Sequence, residues 1–282
     1  MSTVTSRDGT IIGYDRIGEG PPLILVGGAL AMRPSTGENP FARLLSERFT
    51  VIDYDRRGRG ESTDTPPYAV EREVEDIEAL IDATGGTAFV HGFSSGAVLA
   101  LEAASRLADK VARLSLYEPP LILDDSRPPL PADYVERLNA AIADGQPGTA
   151  VEIFMVDAVG IPREFVAGMR NAPPAAAPAD DEAMQPPSWS DLEKVAHTLA
   201  YDGLIVREFM QGKPLPAGQW ASVTAPTLVI TGGDSEPFFH TAAKAIVSNL
   251  PHAEHRVLPG QTHAVAPAAL VPVLIEFFSG QA

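Results

Sequence analysis

Four consecutive apolar residues, Leu23-Ile24-Leu25-Val26, stand between Gly18-Glu19-Gly20-Pro21-Pro22 and Gly27-Gly28. The run is too short for an ordinary helix, and it offers no polar alternate positions to water. It describes a strand covered on both faces. A sheet clothed on both sides needs helices between its strands, and the chain supplies them. Further strand-like runs occur at 49–54, 87–91, 111–117 and 227–231. Between them, 68–84 shows helical spacing, with Val70, Val74, Ile77, Leu80 and Ile81 on one face, and Gly85-Gly86 stops it. Pro40 opens a helix, 95–107 carries Ala97, Ala100 and Ala104 for close packing on a sheet, and 237–249 is another helix. Alternating units of this length predict an α/β fold with a mostly parallel central sheet and helices on both faces. Ahead of it, Asp8-Gly9 between 4–6 and 10–17 predicts a hairpin.

The rhythm stops at Glu118-Pro119-Pro120 and returns at Ala225-Pro226. Residues 1–120 and 222–282 are therefore read as one α/β core. Residues 121–221 are read as a helical cap or lid, with helical patches at 131–144 and 188–211 and a Pro/Ala-rich stretch at 172–187. Trp189, Phe154, Met155, Phe165, Met169 and Phe209 serve there as lid core or as the lining of an apolar pocket.

At 282 residues and 45% hydrophobic, the chain can bury a large core. A net charge of −16 argues against nucleic acid and anionic membrane surfaces as partners. With no cysteine, thiolate catalysis, disulfides and cysteine-ligated metals are excluded. No stretch is long and apolar enough to span a membrane, and no apolar signal segment is visible. A cytoplasmic protein acting on a small molecule is the expectation. Oligomeric state is not legible.

The chemistry centres on Phe89-Val90-His91-Gly92-Phe93-Ser94-Ser95-Gly96-Ala97. A strand, a tight Gly-x-Ser-x-Gly turn and a small-residue helix would present Ser94 as a nucleophile. A serine hydroxyl needs a base, an acid to orient that base, and donors for the oxyanion. Of the six histidines, His263 stands in a loop between the last strand and the last helix, at the same sheet edge as Ser94. Asp234, after the strand at 227–231, is favoured as the acid and gives the order Ser94, Asp234, His263; Glu118, at the end of the preceding strand, is the alternative. The Ser95 and Ala29 amides are the expected oxyanion donors. Arg56, Arg57 and Arg59 are read as a scaffold turn with ion-paired or solvated side chains.

With these residues assembled, the chain resembles the α/β-hydrolase superfamily, over roughly 1–120 and 222–282. The segment from Asp53 to Ser62 looks like its D-x-R-G-x-G-x-S signature, and Leu258-Pro259-Gly260-Gln261-Thr262-His263 is similar to its histidine loop. Gly27-Gly28 departs from the His-Gly common in that family. The resemblance implies an α/β-hydrolase fold with a helical cap. It also implies a serine hydrolase that needs no metal or organic cofactor and acts on a small ester or lactone. The same triad also serves C–C bond hydrolysis, perhydrolysis and acyl transfer, and a binding protein on this scaffold is a further alternative. Epoxide hydrolases and haloalkane dehalogenases carry aspartate where this chain has Ser94.

Overall fold

In the computed structural model, which describes residues 2–34, 39–172 and 187–280, the 23–26 run is the interior strand its composition demands. It forms β3 (Pro22–Val26), parallel to β4 (Thr50–Tyr54) on one side and to β5 (Ala88–Phe93) on the other. Its side chains part alternately. Ile24 and Val26 join the core that includes Val74, Ile77 and Leu80 of α2 (Val70–Ala83) and Ala97 and Ala100 of α3 (Ser95–Arg106). Leu23 and Leu25 join the core of α1 (Pro40–Leu45) and α10 (Pro267–Phe278). Each such side chain fully buried contributes about 1.5–3 kcal/mol.

Beyond β5 the parallel sheet continues through β6 (Val111–Tyr117), β7 (Thr227–Gly232) and β8 (Ala253–Leu258). The predicted hairpin is β1 (Ser2–Thr5) and β2 (Ile11–Ile17), whose turn at Gly9 has a φ of 89°. It adds an antiparallel edge through β2 on β4, so the eight strands run β1-β2-β4-β3-β5-β6-β7-β8. Pro40 occupies the first turn of α1 behind an Asn39 cap. The predicted helix at 237–249 is α9 (Pro237–Asn249).

Between β6 and β7 the regular elements among the described residues are helices, joined by irregular chain. They form α4 (Tyr134–Ala143), α5 (Pro147–Ile153), a π-helical turn Phe154–Val159, α6 (Arg163–Asn171), α7 (Trp189–Val195) and α8 (Leu199–Val206). The patch expected at 188–211 is several short helices rather than one: a 3-10 turn, Ala196–Thr198, separates α7 from α8, and a second, Arg207–Phe209, follows α8. Apart from its two ends, the Pro/Ala-rich stretch lies outside the described residues. Of the candidate lining residues, Phe165 and Met169 are exposed, whereas Trp189, Phe154, Met155 and Phe209 pack against the main core.

Candidate active site

The turn from β5 to α3 forces Ser94 into φ 53°, ψ −126°, a conformation that L-residues rarely adopt. The neighbouring glycines explain how so tight a turn packs. A Cβ at Gly92 would come 2.6 Å from the Ala97 Cα, and one at Gly96 would collide with the carbonyls of Val26 and Gly27. The elbow therefore lies directly against the end of β3. A Cβ at Gly28 would approach the Ser94 Cβ to 3.0 Å, so the loop after β3 needs glycine to pass the serine. The Ser94 N–H donates to the Tyr117 carbonyl at 2.9 Å, while the hydroxyl has no hydrogen-bond partner among the described residues.

His263 follows β8, as expected, and its side chain is 47% exposed. Its ring stacks on Phe239 of α9, with centroids 4.8 Å apart and 12° between planes. Its Nδ1 lies 2.7 Å from the Glu118 Oε2. Glu118 is fully buried at the end of β6 with φ 47°, and its Oε1 accepts the Gly232 N–H at 2.7 Å. The adjacent Tyr117 hydroxyl donates to the Thr262 carbonyl at 2.6 Å, so one strand end holds both the histidine and its loop.

This corrects the expectation for Asp234. Its side chain is exposed and makes no hydrogen bond to His263 among the described residues. The main chain at Gly233 and Asp234 braces the histidine loop instead, through N–H bonds to Leu258 and Gln261 carbonyls at 2.8 and 2.9 Å. Ser94 and Glu118 stand at the ends of the neighbouring strands β5 and β6, and Glu118 in turn carries His263.

Ser95 follows Ser94 in the chain, and Ala29 follows Gly28, whose added Cβ would meet the Ser94 Cβ. Ser95 is the first residue of α3, and Ala29 is half-buried in the loop beside the elbow. Neither N–H makes a hydrogen bond among the described residues, so both remain donors. The other histidines have different surroundings. His91 is buried beneath the elbow with Nδ1 3.1 Å from the Ser115 hydroxyl, and burial pushes its pKa down to about 3, leaving it neutral. His240 and His255 both contact the Thr231 hydroxyl, at 3.1 and 2.8 Å.

The arginines after β4 are buried and ion-paired, as the scaffold reading expects. Arg57 forks onto Asp76 at 2.8 and 2.7 Å, Arg56 forks onto Glu73 at 2.7 and 2.6 Å, and Arg56 and Arg59 share Asp202 of α8. Asp202 escapes sequence reasoning, although an acid in the otherwise apolar Leu-Ala-Tyr-Asp-Gly-Leu-Ile-Val is a signal of a buried charge. Among the described residues, no group of three or more His, Asp or Glu side chains is placed to hold a metal, and no helix is long and apolar enough to cross a membrane.

The model of the alpha/beta hydrolase family matches residues 23–273. An alpha/beta hydrolase from Sphaerobacter thermophilus DSM 20745 is 48% identical, with 98% of this chain and 100% of that one covered and a TM-score of 0.85. The enol-lactonase from Burkholderia xenovorans LB400 shares the fold at 20% identity, with 99% and 100% covered and a TM-score of 0.68. A non-heme chloroperoxidase of Streptomyces lividans is 31% identical over 154 residues, which cover 51% of this chain and 55% of that protein. The chain spans about half the length of the curated relatives it matches.

Proposed function

Because the chain belongs to the alpha/beta hydrolase family, we propose that it is a serine hydrolase whose triad is Ser94, His263 and Glu118. The observation that carries this reading is the 2.7 Å contact of His263 with a fully buried carboxylate, at the sheet edge where Ser94 stands in its strained turn. Glu118 holds Nδ1 and fixes the tautomer, so Nε2 is the nitrogen that exchanges a proton with the serine. Ser94 Oγ attacks a carbonyl carbon as His263 takes its proton. The Ala29 and Ser95 N–H groups receive the oxyanion. His263 then returns the proton to the leaving oxygen, and water resolves the acyl-enzyme by the same route.

The substrate class proposed is a small carboxylic ester or lactone, with the helices between β6 and β7 as the lid over the site. No metal or organic cofactor takes part in these steps. A second reading is favoured by the chloroperoxidase relative. In it, hydrogen peroxide replaces water, giving a peracid and free Ser94.

The test is hydrolysis of p-nitrophenyl acetate together with fluorophosphonate labelling, the modified residue being located by mass spectrometry. Label at Ser94, and a fall of about 10⁴-fold or more in kcat for Ser94→Ala, are the expected results. Full turnover by Ser94→Ala would overturn the assignment. Peracid formation from acetate and hydrogen peroxide separates the second reading from the first.

A further inference from the structure

Asp202 reaches the elbow from α8, in the helical segment between β6 and β7. Its carboxylate is shared three ways. Oδ1 accepts from Arg56 Nη1 at 2.6 Å and from the Ser95 hydroxyl at 2.7 Å, and Oδ2 accepts from Arg59 Nη2. Both arginines continue to the loop after β3. Arg59 Nη1 donates to the Gly28 carbonyl at 2.6 Å and to that of Ala31 at 3.3 Å, and Arg56 Nη1 donates to that of Gly27 at 3.3 Å. Glu73 accepts from Arg56 Nε and Nη2, and the Thr198 hydroxyl accepts from Arg59 Nε. Arg56, Arg59, Glu73 and Asp202 are all buried, and their charges cancel. Burial raises the Asp202 pKa, but attraction to Arg56 and Arg59 outweighs it and holds the carboxyl below its usual range.

A peptide unit is planar and trans, so a carbonyl and the N–H that follows it point in opposite directions. A hydrogen bond that fixes the Gly28 oxygen therefore also aims the Ala29 N–H. The same carboxylate that holds Arg59 also holds Ser95, the source of the other oxyanion donor. Asp202 thus ties the two halves of the hole to one point, and that point belongs to the helical segment rather than to the sheet.

We propose that Asp202 is a positioning residue, which sets the Ala29 and Ser95 N–H groups relative to each other through Arg59 and the Ser95 hydroxyl. The proposal rests on the serine-hydrolase reading. It makes transition-state stabilisation depend on a residue of the helical segment. Loss of Asp202 would leave substrate binding largely intact and slow the chemical step, since the donors matter most when the oxyanion forms.

The test uses the full chain and two readouts: kcat and KM for p-nitrophenyl acetate, and the rate at which a fluorophosphonate labels Ser94. Asp202→Asn is expected to lower kcat by about 10- to 100-fold with KM within about threefold, and to slow labelling by the same factor. Ser95→Ala keeps the amide and loses the hydroxyl; a fall of about three- to tenfold is expected. Asp76→Asn is the control. That carboxylate is as buried and is forked by an arginine, but it touches neither Ser95 nor the loop after β3. It should lower the Tm while the folded enzyme keeps kcat within about twofold. Labelling of Asp202→Asn and Ser95→Ala at the wild-type rate would overturn the proposal. If Asp202→Asn does not fold, Ser95→Ala decides it alone: reduced turnover at unchanged KM supports it, and unchanged turnover overturns it. A wild-type enzyme that takes no label at Ser94 overturns the serine-hydrolase reading itself, a distinct result.

Discussion

The ends of β6 and β7 are neighbours in the sheet, and each is followed by an acidic residue in the right sequence order for a triad. Their environments are opposite. After β6 the chain turns at once, with a positive φ at Glu118, and drives that side chain inward to meet His263 and the Gly232 N–H. At the end of β7 it passes through Gly232 and Gly233 first, and Asp234 points to solvent while its backbone ties to the histidine loop. One strand end supplies a charge and the other supplies a brace. The lesson is that an acid is chosen by whether its carboxylate is desolvated and aimed, and proximity in sequence does not decide that.

Three substitutions would break or sharpen this contrast. The largest effect belongs to Glu118→Gln. It keeps the shape but loses the charge that fixes the histidine tautomer, so kcat for p-nitrophenyl acetate should fall about 10³- to 10⁴-fold. Steady-state kinetics on the folded variant would check this, and a loss under tenfold would remove Glu118 from the triad. Next comes Gly232→Ala. The added methyl would collide with the Gln261 carbonyl, at the N–H that holds Glu118 Oε1. A loss of about 1–3 kcal/mol in urea unfolding is expected, with reduced turnover. Smallest is Asp234→Asn, which should change kcat by less than about threefold and stability by less than about 0.5 kcal/mol. A loss of 10³-fold there would return the acid to the end of β7.

The same contrast explains what the amino-acid sequence reveals unaided. The strands and helices of the sheet are legible because Leu23-Ile24-Leu25-Val26 and its counterparts are short, apolar and separated by amphipathic helices. Ser94 and His263 are legible because local turn chemistry and chain order place them. The choice between Glu118 and Asp234 is not, since both satisfy the order and the decision rests on how a side chain leaves a strand end. Asp202 is less legible still: its partners Ser95, Arg56 and Arg59 are far away in the chain, and nothing local announces them. The short helices around Phe154–Val159 and Ala196–Thr198 are likewise set by packing, which a periodicity argument does not see.

The Asp202 contacts also bear on how such enzymes can be re-engineered. Exchanging the helices between β6 and β7 for those of a relative is an obvious route to new substrates, because Ser94, Glu118 and His263 all lie outside them. Yet the graft would strip the pair Arg56 and Arg59 of one of its two buried counter-charges, leaving a cation stranded beside the loop after β3. A transplant that ignores this carboxylate should yield a poor catalyst on every substrate, old or new. The helical segment between β6 and β7 is a matched part, and its partner is the scaffold.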